Sequence, residues 1–293
     1  MSKTQLSLSS VWDAVDGILV LNLEKSPERM ERFMQKNGQA FPAEKIVRIN
    51  AAYGRDFPGY GEVPWFTERT GARAPFWAGT AGCAVSHRRA VEYAASRGWK
   101  NVLIMEDDAV LHASEDTLRM LQYALRKLSG RYMLYPGFSR PTPYGRCKKR
   151  DGEASLWRVE GVLSTYSYIV SQELYQTLLD KLPTEENAWE WVSKNRAIDS
   201  FYRDVISAMG SVKTYVIMPD LIVHEDGPSE IAGNTVVSSA FDRNQEPLSY
   251  SSWKGMMRTI GRPIRKCKRR LNSARTWLRA RNGGFPGFRK RHK

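Results

Sequence analysis

The sequence predicts an α/β protein with a mostly parallel sheet covered by helices, and three observations support this fold class. The continuous apolar run from Val102 to Met105 is typical of a strand buried on both faces. The first 50 residues contain the order strand, helix, strand, which implies a parallel pair of strands. Helices with recognisable N-caps and apolar stripes recur further along the chain. With 293 residues, the chain is long enough to bury a sizeable core.

The first strand–helix–strand unit lies near the N-terminus. The apolar run from Gly17 to Leu23 predicts a buried strand, and Lys45 to Asn50 predicts a second one. Between them, Ser26 and Pro27 are the residue types of a helix N-cap and a first helical position, and Gly38 ends the helix. The inner face of this helix is predicted to carry three apolar side chains, Met30, Phe33 and Met34.

A long loop and a long helix follow. Tyr53 to Pro75 is rich in glycine, proline and aromatic residues without a period, which predicts a loop of the kind often found at functional sites. Residues 78–99 predict a helix that is stopped by Gly98 and has Ser86 and His87 in its first turns. One face of this helix carries small and apolar side chains, namely Ala84, Val85, Val91, Ala94 and Ala95. A lone histidine in such a helix is more often a structural hydrogen-bonding residue than a ligand.

The stretch from Asn101 to Leu111 joins an apolar strand to three consecutive acids, Glu106, Asp107 and Asp108. Ligands of open α/β sheets bind outside the carboxyl ends of the strands, so these carboxylates are expected at a binding site. Three adjacent carboxylates repel one another, and Mg²⁺ or Mn²⁺ relieves this repulsion while also binding substrate phosphates. A solvated acidic turn is the alternative interpretation.

The later part of the domain is predicted to alternate helices and strands. In chain order, the elements are a helix capped by Ser114, a strand from Arg131 to Gly137, a basic proline-rich loop from Phe138 to Gly152, a two-stranded hairpin from Leu156 to Val170, a helix capped by Ser171, a helix from Ala197 to Met209 and a strand from Val212 to Met218.

The net charge of +14 is concentrated at the C-terminus. Residues 251–293 contain 15 of the 45 lysines and arginines and no acid, which leaves 30 basic and 31 acidic residues, a net charge of −1, in residues 1–250. A body of balanced charge argues against nucleic acid binding across its surface. We therefore divide the chain into an N-terminal extension (1–15), one α/β domain (16–250) and a basic tail (251–293).

The basic tail has the pattern of an amphipathic helix. Apolar or small residues recur at steps of three and four, at Trp253, Met256, Ile260, Ile264, Cys267, Leu271, Ala274 and Leu278. Gly261 and Pro263 divide this helix into two pieces. Basic amphipathic helices lie in the membrane interface, so we expect the tail to bind an anionic membrane surface. A disordered solubilising tail and a nucleic-acid-binding arm are the alternatives.

Other features bear on location. Cys83, Cys147 and Cys267 are odd in number and lack a metal-ligand spacing, which favours a reducing compartment. The N-terminus lacks the apolar segment of a signal peptide, and no apolar run of about 18 residues occurs. Together with the tail, these features predict a cytoplasmic protein held peripherally on the cytoplasmic face of the inner membrane.

Four stretches together resemble glycosyltransferase family 25, which includes lipooligosaccharide and collagen galactosyltransferases. They are VLNLEKSPERM (Val20–Met30), GCAVSH (Gly82–His87), LIMEDDAV (Leu103–Val110) and IVHEDGPSEI (Ile222–Ile231). The stretches follow the family's order, and the resemblance extends over residues 16–235. The last stretch has Glu230 where the family commonly has aspartate.

The resemblance implies a GT-A-like domain and a metal-dependent inverting glycosyltransferase. It implies that Asp108 binds Mn²⁺ or Mg²⁺ with Glu106 or Asp107 as a second or outer-shell ligand, and that His224 completes the metal shell or contacts the diphosphate. Residues of the opening unit, the second helix and the acidic turn would contact the UDP-sugar donor: Asn22, Leu23, Arg29, Ser86, His87 and Asp107. An exposed helical arginine is the alternative for Arg29. The family's usual donor is UDP-galactose, and the implied acceptor is a saccharide or lipid-linked saccharide of lipopolysaccharide or another surface glycan.

An inverting transfer needs one base to accept the proton of the acceptor hydroxyl. The candidates are Asp199, near the start of a helix, and Glu225 and Asp226, which follow the last strand. We place Asp199 slightly ahead, although acids are also common at helix N-termini for electrostatic reasons alone.

Two other functional classes use the same residues differently. A metal-dependent phosphoesterase would use the three acids with His224, but such sites usually hold two ions with more ligands than four histidines readily supply. A non-enzymatic basic binding protein would work through the tail alone.

Overall fold

The computed structural model describes residues 11–67, 73–142, 144–225, 227–228, 235–236 and 247–249 of the chain. The basic tail predicted at 251–293 lies outside these residues, as do Asp226 and Glu230. Within the described residues, the protein is an α/β structure built on one large central sheet.

The chain contributes short and long strands to this sheet and to three small two-stranded pairs. The strands are β1 (Gly17–Leu23), β2 (Ile46–Ala51), β3 (Asn101–Glu106), β4 (Ala109–Leu111), β5 (Tyr132–Tyr135), β6 (Arg140–Pro141), β7 (Tyr144–Asp151), β8 (Ala154–Val159), β9 (Val162–Leu163), β10 (Ser167–Ser171), β11 (Lys213–Met218), β12 (Ile222–His224), β13 (Gly227–Pro228), β14 (Thr235–Val236) and β15 (Leu248–Ser249).

The central sheet has nine strands in the order β15–β7–β8–β11–β5–β10–β3–β1–β2. Strands β8 and β10 run opposite to the other seven, so the sheet is mostly parallel, as predicted. Strand β1 is parallel to both β2 and β3, which brings the carboxyl ends of these three strands to one edge. The predicted parallel pair at the N-terminus is therefore confirmed.

Among the described residues, six helices pack on the sheet. They are α1 (Pro27–Asn37), α2 (Ala74–Ser96), α3 (Glu115–Lys127), α4 (Gln172–Leu179), α5 (Ala188–Asn195) and α6 (Ile198–Phe201), which continues into a π-helical turn (Tyr202–Ile206). Short 3₁₀ turns occur at Trp12–Ala14, Ala43–Lys45 and Gly54–Asp56.

The helices cover both faces of the sheet because successive strand side chains point to opposite sides. On one face, β1 and β3 bury Leu19 and Ile104 against α2, α4, α5 and α6. On the other face, Ile18 and Leu103 pack against α1 and α3. The purely apolar strands of the sequence are thus strands with a core on each side, as their composition predicts.

The start of the domain differs from the prediction. Val11, Trp12 and Val15 are fully buried in the same core as Ile18, and the Trp12 indole N–H donates to the carbonyl of Ala40 at 3.0 Å. Residues 11–15 therefore belong to the domain, which begins before the predicted boundary at residue 16.

The first and second helices also differ in detail. Phe33 of α1 is buried as predicted, but Met34 is 36% exposed and does not lie on the inner face. Helix α2 begins at Ala74, with Pro75 in its first turn, and not near Ala78. Its early start places Ser86 and His87 in the middle of the helix and not in its first turns.

Two predictions for the middle of the chain are wrong. Residues predicted as a basic loop form β7, whose exposed lysines and arginines hide the strand in the sequence although it pairs with both β8 and β15. The predicted hairpin is absent because β8 and β10 are separated in the sheet by β11 and β5. Helix α5, whose two tryptophans are buried, was not predicted.

Candidate active site

A cleft of about 160 Å³ opens at the carboxyl ends of β1 and β3, where the sequence predicts a site. The first turn of α1, the middle of α2 and residues 51–55 form its walls, and the acidic turn and His224 complete the lining. The predicted loop after β2 thus contributes to the cleft through Tyr53, Gly54 and Arg55. Lys25 stacks on the Tyr53 ring at 3.7 Å from the ring centroid, so the rim of this wall is basic.

Close backbone packing holds α2 against this wall. A Cβ atom at Gly82 would lie 2.5 Å from the carbonyl oxygen of Ala52, so only glycine permits the observed approach. Next to it, the Ser86 hydroxyl donates to the Gly82 carbonyl at 2.6 Å and accepts from the Ala52 N–H at 2.8 Å. Ser86 lines the cleft, but in this structure both hydrogen bonds of its hydroxyl serve the backbone.

The acidic turn between β3 and β4 gives the three acids different partners. Asp107 accepts hydrogen bonds from Asn22 Nδ2 at 2.7 Å and from Arg29 Nε at 2.8 Å. Its side chain is 8% exposed, and Arg29 Nη2 also contacts it. The structure therefore brings together three predicted donor-binding residues, but it pairs Asn22 and Arg29 with a protein carboxylate.

Asp108 forms an ion pair with His224. His224 Nε2 lies 3.2 Å from Asp108 Oδ2, and Arg29 Nη2 lies 3.1 Å from the same oxygen. The pairing of β12 with β4, with His224 opposite Ala109, brings these distant residues together. The backbone N–H of Glu225 also donates to the Asp108 carbonyl at 2.9 Å. Asp108 Oδ1 is buried and has no hydrogen-bond partner among the described residues.

Charge and burial act in opposite directions on this pair. Burial disfavours the Asp108 carboxylate, but the hydrogen bond and charge of His224, followed by those of Arg29, outweigh it and lower the pKa of Asp108. Burial likewise disfavours a charged imidazole, but Asp108 and then Glu106 outweigh it and raise the pKa of His224. Each partner therefore favours the charged form of the other.

Glu106 lies on the other side of the acidic turn and meets α2. Its Oε1 accepts from the Thr165 hydroxyl at 3.2 Å and lies 3.5 Å from His87 Nε2. Cys83, one helical turn before His87, joins them. Within the described part of the chain, only Cys83, His87 and Glu106 place three potential metal-ligand atoms within 4.8 Å of one another.

The candidate bases lie in different surroundings. Asp199 lies in the first turn of α6, and its carboxylate accepts from the backbone N–H groups of Ser200 and Ser164. It does not line the cleft as defined above, although its charge reaches Cys83 and, after burial and Glu106, helps to raise the pKa of that thiol. Glu225 forms an ion pair with Lys36 of α1. Asp226 lies outside the described residues.

Some site residues were not identified from the sequence. In the sequence, Cys83 stands apart from the other cysteines, and no pattern marks Thr165 as a site residue. The i, i+4 spacing of Cys83 and His87 was an available signal, because residues four apart share one helix face. Leu23, predicted at the donor site, lines the cleft at the end of β1.

No helix in the described ranges combines the length and apolar composition needed to cross a bilayer.

The chain matches one family model over more than half of its length. The family model described as "Glycosyltransferase family 25 (LPS biosynthesis protein)" matches residues 15–188. A comparison with curated proteins gave no match.

Several solved structures are similar to the chain at low scores. Mannose-1-phosphate geranyltransferase from Thermus thermophilus is 14% identical with a TM-score of 0.35, covering 69% of this chain and 74% of that one. A197 from STIV is 11% identical with a TM-score of 0.34, covering 79% and 95%. A glycosyltransferase involved in the glycosylation of the major capsid of PBCV-1 is 10% identical with a TM-score of 0.34, covering 74% and 95%. At these scores the likenesses carry no argument about the site.

Proposed function

Because this chain belongs to glycosyltransferase family 25, a family of LPS biosynthesis proteins, we propose that it transfers galactose from UDP-galactose to a saccharide acceptor. The family assignment favours a glycosyltransferase over the metal-dependent phosphoesterase and the non-enzymatic binding protein. The observation that carries the proposal is the Asp108–His224 pair at the cleft, with a buried carboxylate oxygen that no described group satisfies.

The residues of the pair fit a divalent cation. Carboxylate oxygens suit Mn²⁺ and Mg²⁺, whereas an imidazole nitrogen favours transition metals, so Mn²⁺ fits this donor set better. Buried polar atoms are nearly always satisfied in folded proteins, and an ion bound by Asp108 would satisfy Oδ1. Of the two remaining acids, Asp107 is already held by Asn22 and Arg29, so Glu106 is the better candidate for a further contact.

Bound Mn²⁺ would supply Lewis-acid stabilisation of the charge that develops on the departing diphosphate. The protein's own residues prepare the site for this role. Arg29 contacts both Asp107 and Asp108 and so holds the acidic turn in one conformation. Asn22, at the end of β1, anchors Asp107 from the other side. His224 and Asp108 are placed by the β4–β12 pairing.

The basic rim of the cleft supports the binding of an anionic donor. Arg55 lines the cleft, and Lys25 lies over the neighbouring Tyr53 ring. Tyr53 itself lines the cleft beside the end of β2, which suits an aromatic contact with the uracil or ribose of the donor. Ser86 and His87 also line the cleft, through α2.

We assign the acceptor-side base to Asp199. Its carboxylate accepts hydrogen bonds from backbone N–H groups, whereas Glu225 is engaged by the ammonium group of Lys36. An inverting transfer needs a carboxylate that accepts the acceptor's proton in the transition state. The acceptor would be a saccharide or lipid-linked saccharide, and the basic tail would hold the enzyme on the cytoplasmic face of an anionic inner membrane.

The test uses full-length protein and measures UDP binding by calorimetry, with Mn²⁺ and with EDTA, and release of UDP from a panel of nucleotide-sugars. Asp108→Asn should weaken UDP binding with Mn²⁺ at least ~10-fold, leave binding in EDTA nearly unchanged, and abolish transfer. Asp180→Asn, an exposed acid at the end of α4, is the matched control. Equal weakening in Mn²⁺ and EDTA would show that Asp108 is not a metal ligand. Faster turnover with another nucleotide-sugar would replace galactose as the donor sugar.

A further inference from the structure

A second cluster of potential ligands lies in the cleft and shares Glu106 with the proposed Mn²⁺ site. Cys83 and His87 are one turn apart on α2, so their side chains share one face of the helix. Glu106, at the end of β3, meets that face. The thiol, imidazole and carboxylate ligand atoms all lie within 4.8 Å of one another.

The surroundings of His87 permit a ring state that suits metal binding. Nδ1 lies 2.9 Å from the hydroxyl of Tyr168, which in turn lies 3.3 Å from the hydroxyl of Tyr202. If Tyr168 donates to Tyr202, it can accept from the N–H at Nδ1, and Nε2 is left with a lone pair. A hydrogen bond from one ring nitrogen that leaves the other free is the usual arrangement of a metal-binding histidine.

The free nitrogen of His87 then faces an acceptor. The side chain is fully buried, and Nε2 has no hydrogen-bond partner among the described residues. Glu106 Oε1 lies 3.5 Å from it, and this carboxylate oxygen donates nothing when ionised. Glu106 Oε1 accepts from the Thr165 hydroxyl, but in this ring state no hydrogen lies between it and the lone pair of Nε2, and a cation between the two would stabilise both.

We propose that Cys83, His87 and Glu106 bind a borderline-soft divalent cation, with Zn²⁺ as the best fit, at a site that is centred on α2 and does not use Asp108 or His224. Zinc accepts sulfur, nitrogen and carboxylate oxygen together, whereas Mn²⁺ and Mg²⁺ favour oxygen. Three protein ligands leave a fourth position, and the cluster lines the cleft, so this position is open to solvent or to a ligand. The proposed zinc site does not depend on the proposed galactose transfer, because none of the observations that support it involves a sugar donor.

The two sites differ in sulfur content, and this difference makes the proposal testable. The experiment loads full-length, metal-free protein with Zn²⁺ by equilibrium dialysis and, separately, with Co²⁺ for absorption spectroscopy. Cobalt bound to a thiolate gives a near-ultraviolet charge-transfer band that cobalt bound by nitrogen and oxygen alone lacks. The wild-type protein should bind zinc and show this band with cobalt.

One ligand variant and two controls test the assignment. Cys83→Ser should remove the band and lower zinc affinity at least ~10-fold, because loss of an outer-shell partner alone costs that much. Cys147→Ser, which removes a free cysteine on β7, is the matched control and should change neither. Asp108→Asn should retain the band, since that acid belongs to the other site.

Several results would overturn the proposal. These are a wild-type protein without the band, a Cys83→Ser protein that keeps the band and the affinity, or loss of the band in Asp108→Asn. If Cys83→Ser does not fold by circular dichroism, Glu106→Gln decides the question. It should lower zinc affinity while leaving the cobalt–thiolate band in place, and unchanged affinity would contradict the site.

Discussion

Asn37 is expected to couple the stability of the domain to the geometry of the metal-binding turn. It is the last residue of α1 and is fully buried. Its Nδ2 donates to the Ala109 carbonyl at 3.0 Å, and its Oδ1 accepts from the Leu111 N–H at 2.9 Å. These two bonds fasten α1 to β4, the strand that follows Asp108 directly and pairs with the strand of His224.

The expected loss of stability comes from the two groups that a truncation would orphan. Asn37→Ala leaves a buried carbonyl at Ala109 and a partly buried N–H at Leu111 without their partners. Each unsatisfied buried group costs about 1–3 kcal/mol, so the free energy of unfolding should fall by about 2–6 kcal/mol. The same change should weaken Mn²⁺ binding, because the acidic turn loses one of its supports.

The assay is urea unfolding followed by tryptophan fluorescence, which the protein's nine tryptophans make sensitive. Asn50→Ala is the matched control, because Asn50 is exposed and its side chain bonds at the surface, to Glu24 at 3.1 Å. It should change stability by no more than about 0.5 kcal/mol. A loss below about 1 kcal/mol in Asn37→Ala would contradict the expectation, since it would mean that the orphaned groups find other partners.

Three further outcomes are expected. Asp199→Asn should lower turnover strongly with little change in UDP-sugar binding, because the base acts only in the transition state; steady-state kinetics and donor calorimetry measure both. Ser86→Ala should destabilise the protein by about 1–3 kcal/mol in urea, because the Ala52 N–H loses its buried acceptor. A protein lacking residues 251–293 should no longer sediment with anionic liposomes at physiological salt, because each basic residue near such a surface contributes about 1 kcal/mol.

For each of these three expectations, one result would contradict the reasoning behind it. Normal turnover in Asp199→Asn, together with its loss in Asp226→Asn, would assign the base to the segment after β12. Unchanged stability in Ser86→Ala, with weaker donor binding, would return Ser86 to the donor site. Equal sedimentation of full-length and shortened protein would contradict the membrane role of the tail.

Local sequence was enough to predict the elements whose burial is uniform along the chain. Strand β1 has the predicted bounds, and β3 ends where the acids begin, because a strand covered on both faces needs only apolar residues. The helix after the acidic turn starts as predicted, with Ser114 accepting from the Thr117 N–H and Thr117 bonding back to Ser114. Such signals are local, so neighbouring residues suffice to show them. The family was also recognisable, because its four stretches occur in order.

Packing in three dimensions determines which distant groups meet. Strand β7 is basic and exposed, so pairing with β8 and β15 stabilises it, and not an apolar pattern of its own. Sheet order, which no local pattern encodes, separates β8 from β10 and places β12 on β4. That pairing brings His224 to Asp108, while the packing of α2 on β3 brings Cys83 and His87 to Glu106. Asn22 and Arg29 hydrogen-bond to Asp107 for the same reason. Their contact with Asp107 depends on how β1, α1 and β3 pack in space, and the residues next to them in the sequence do not predict it.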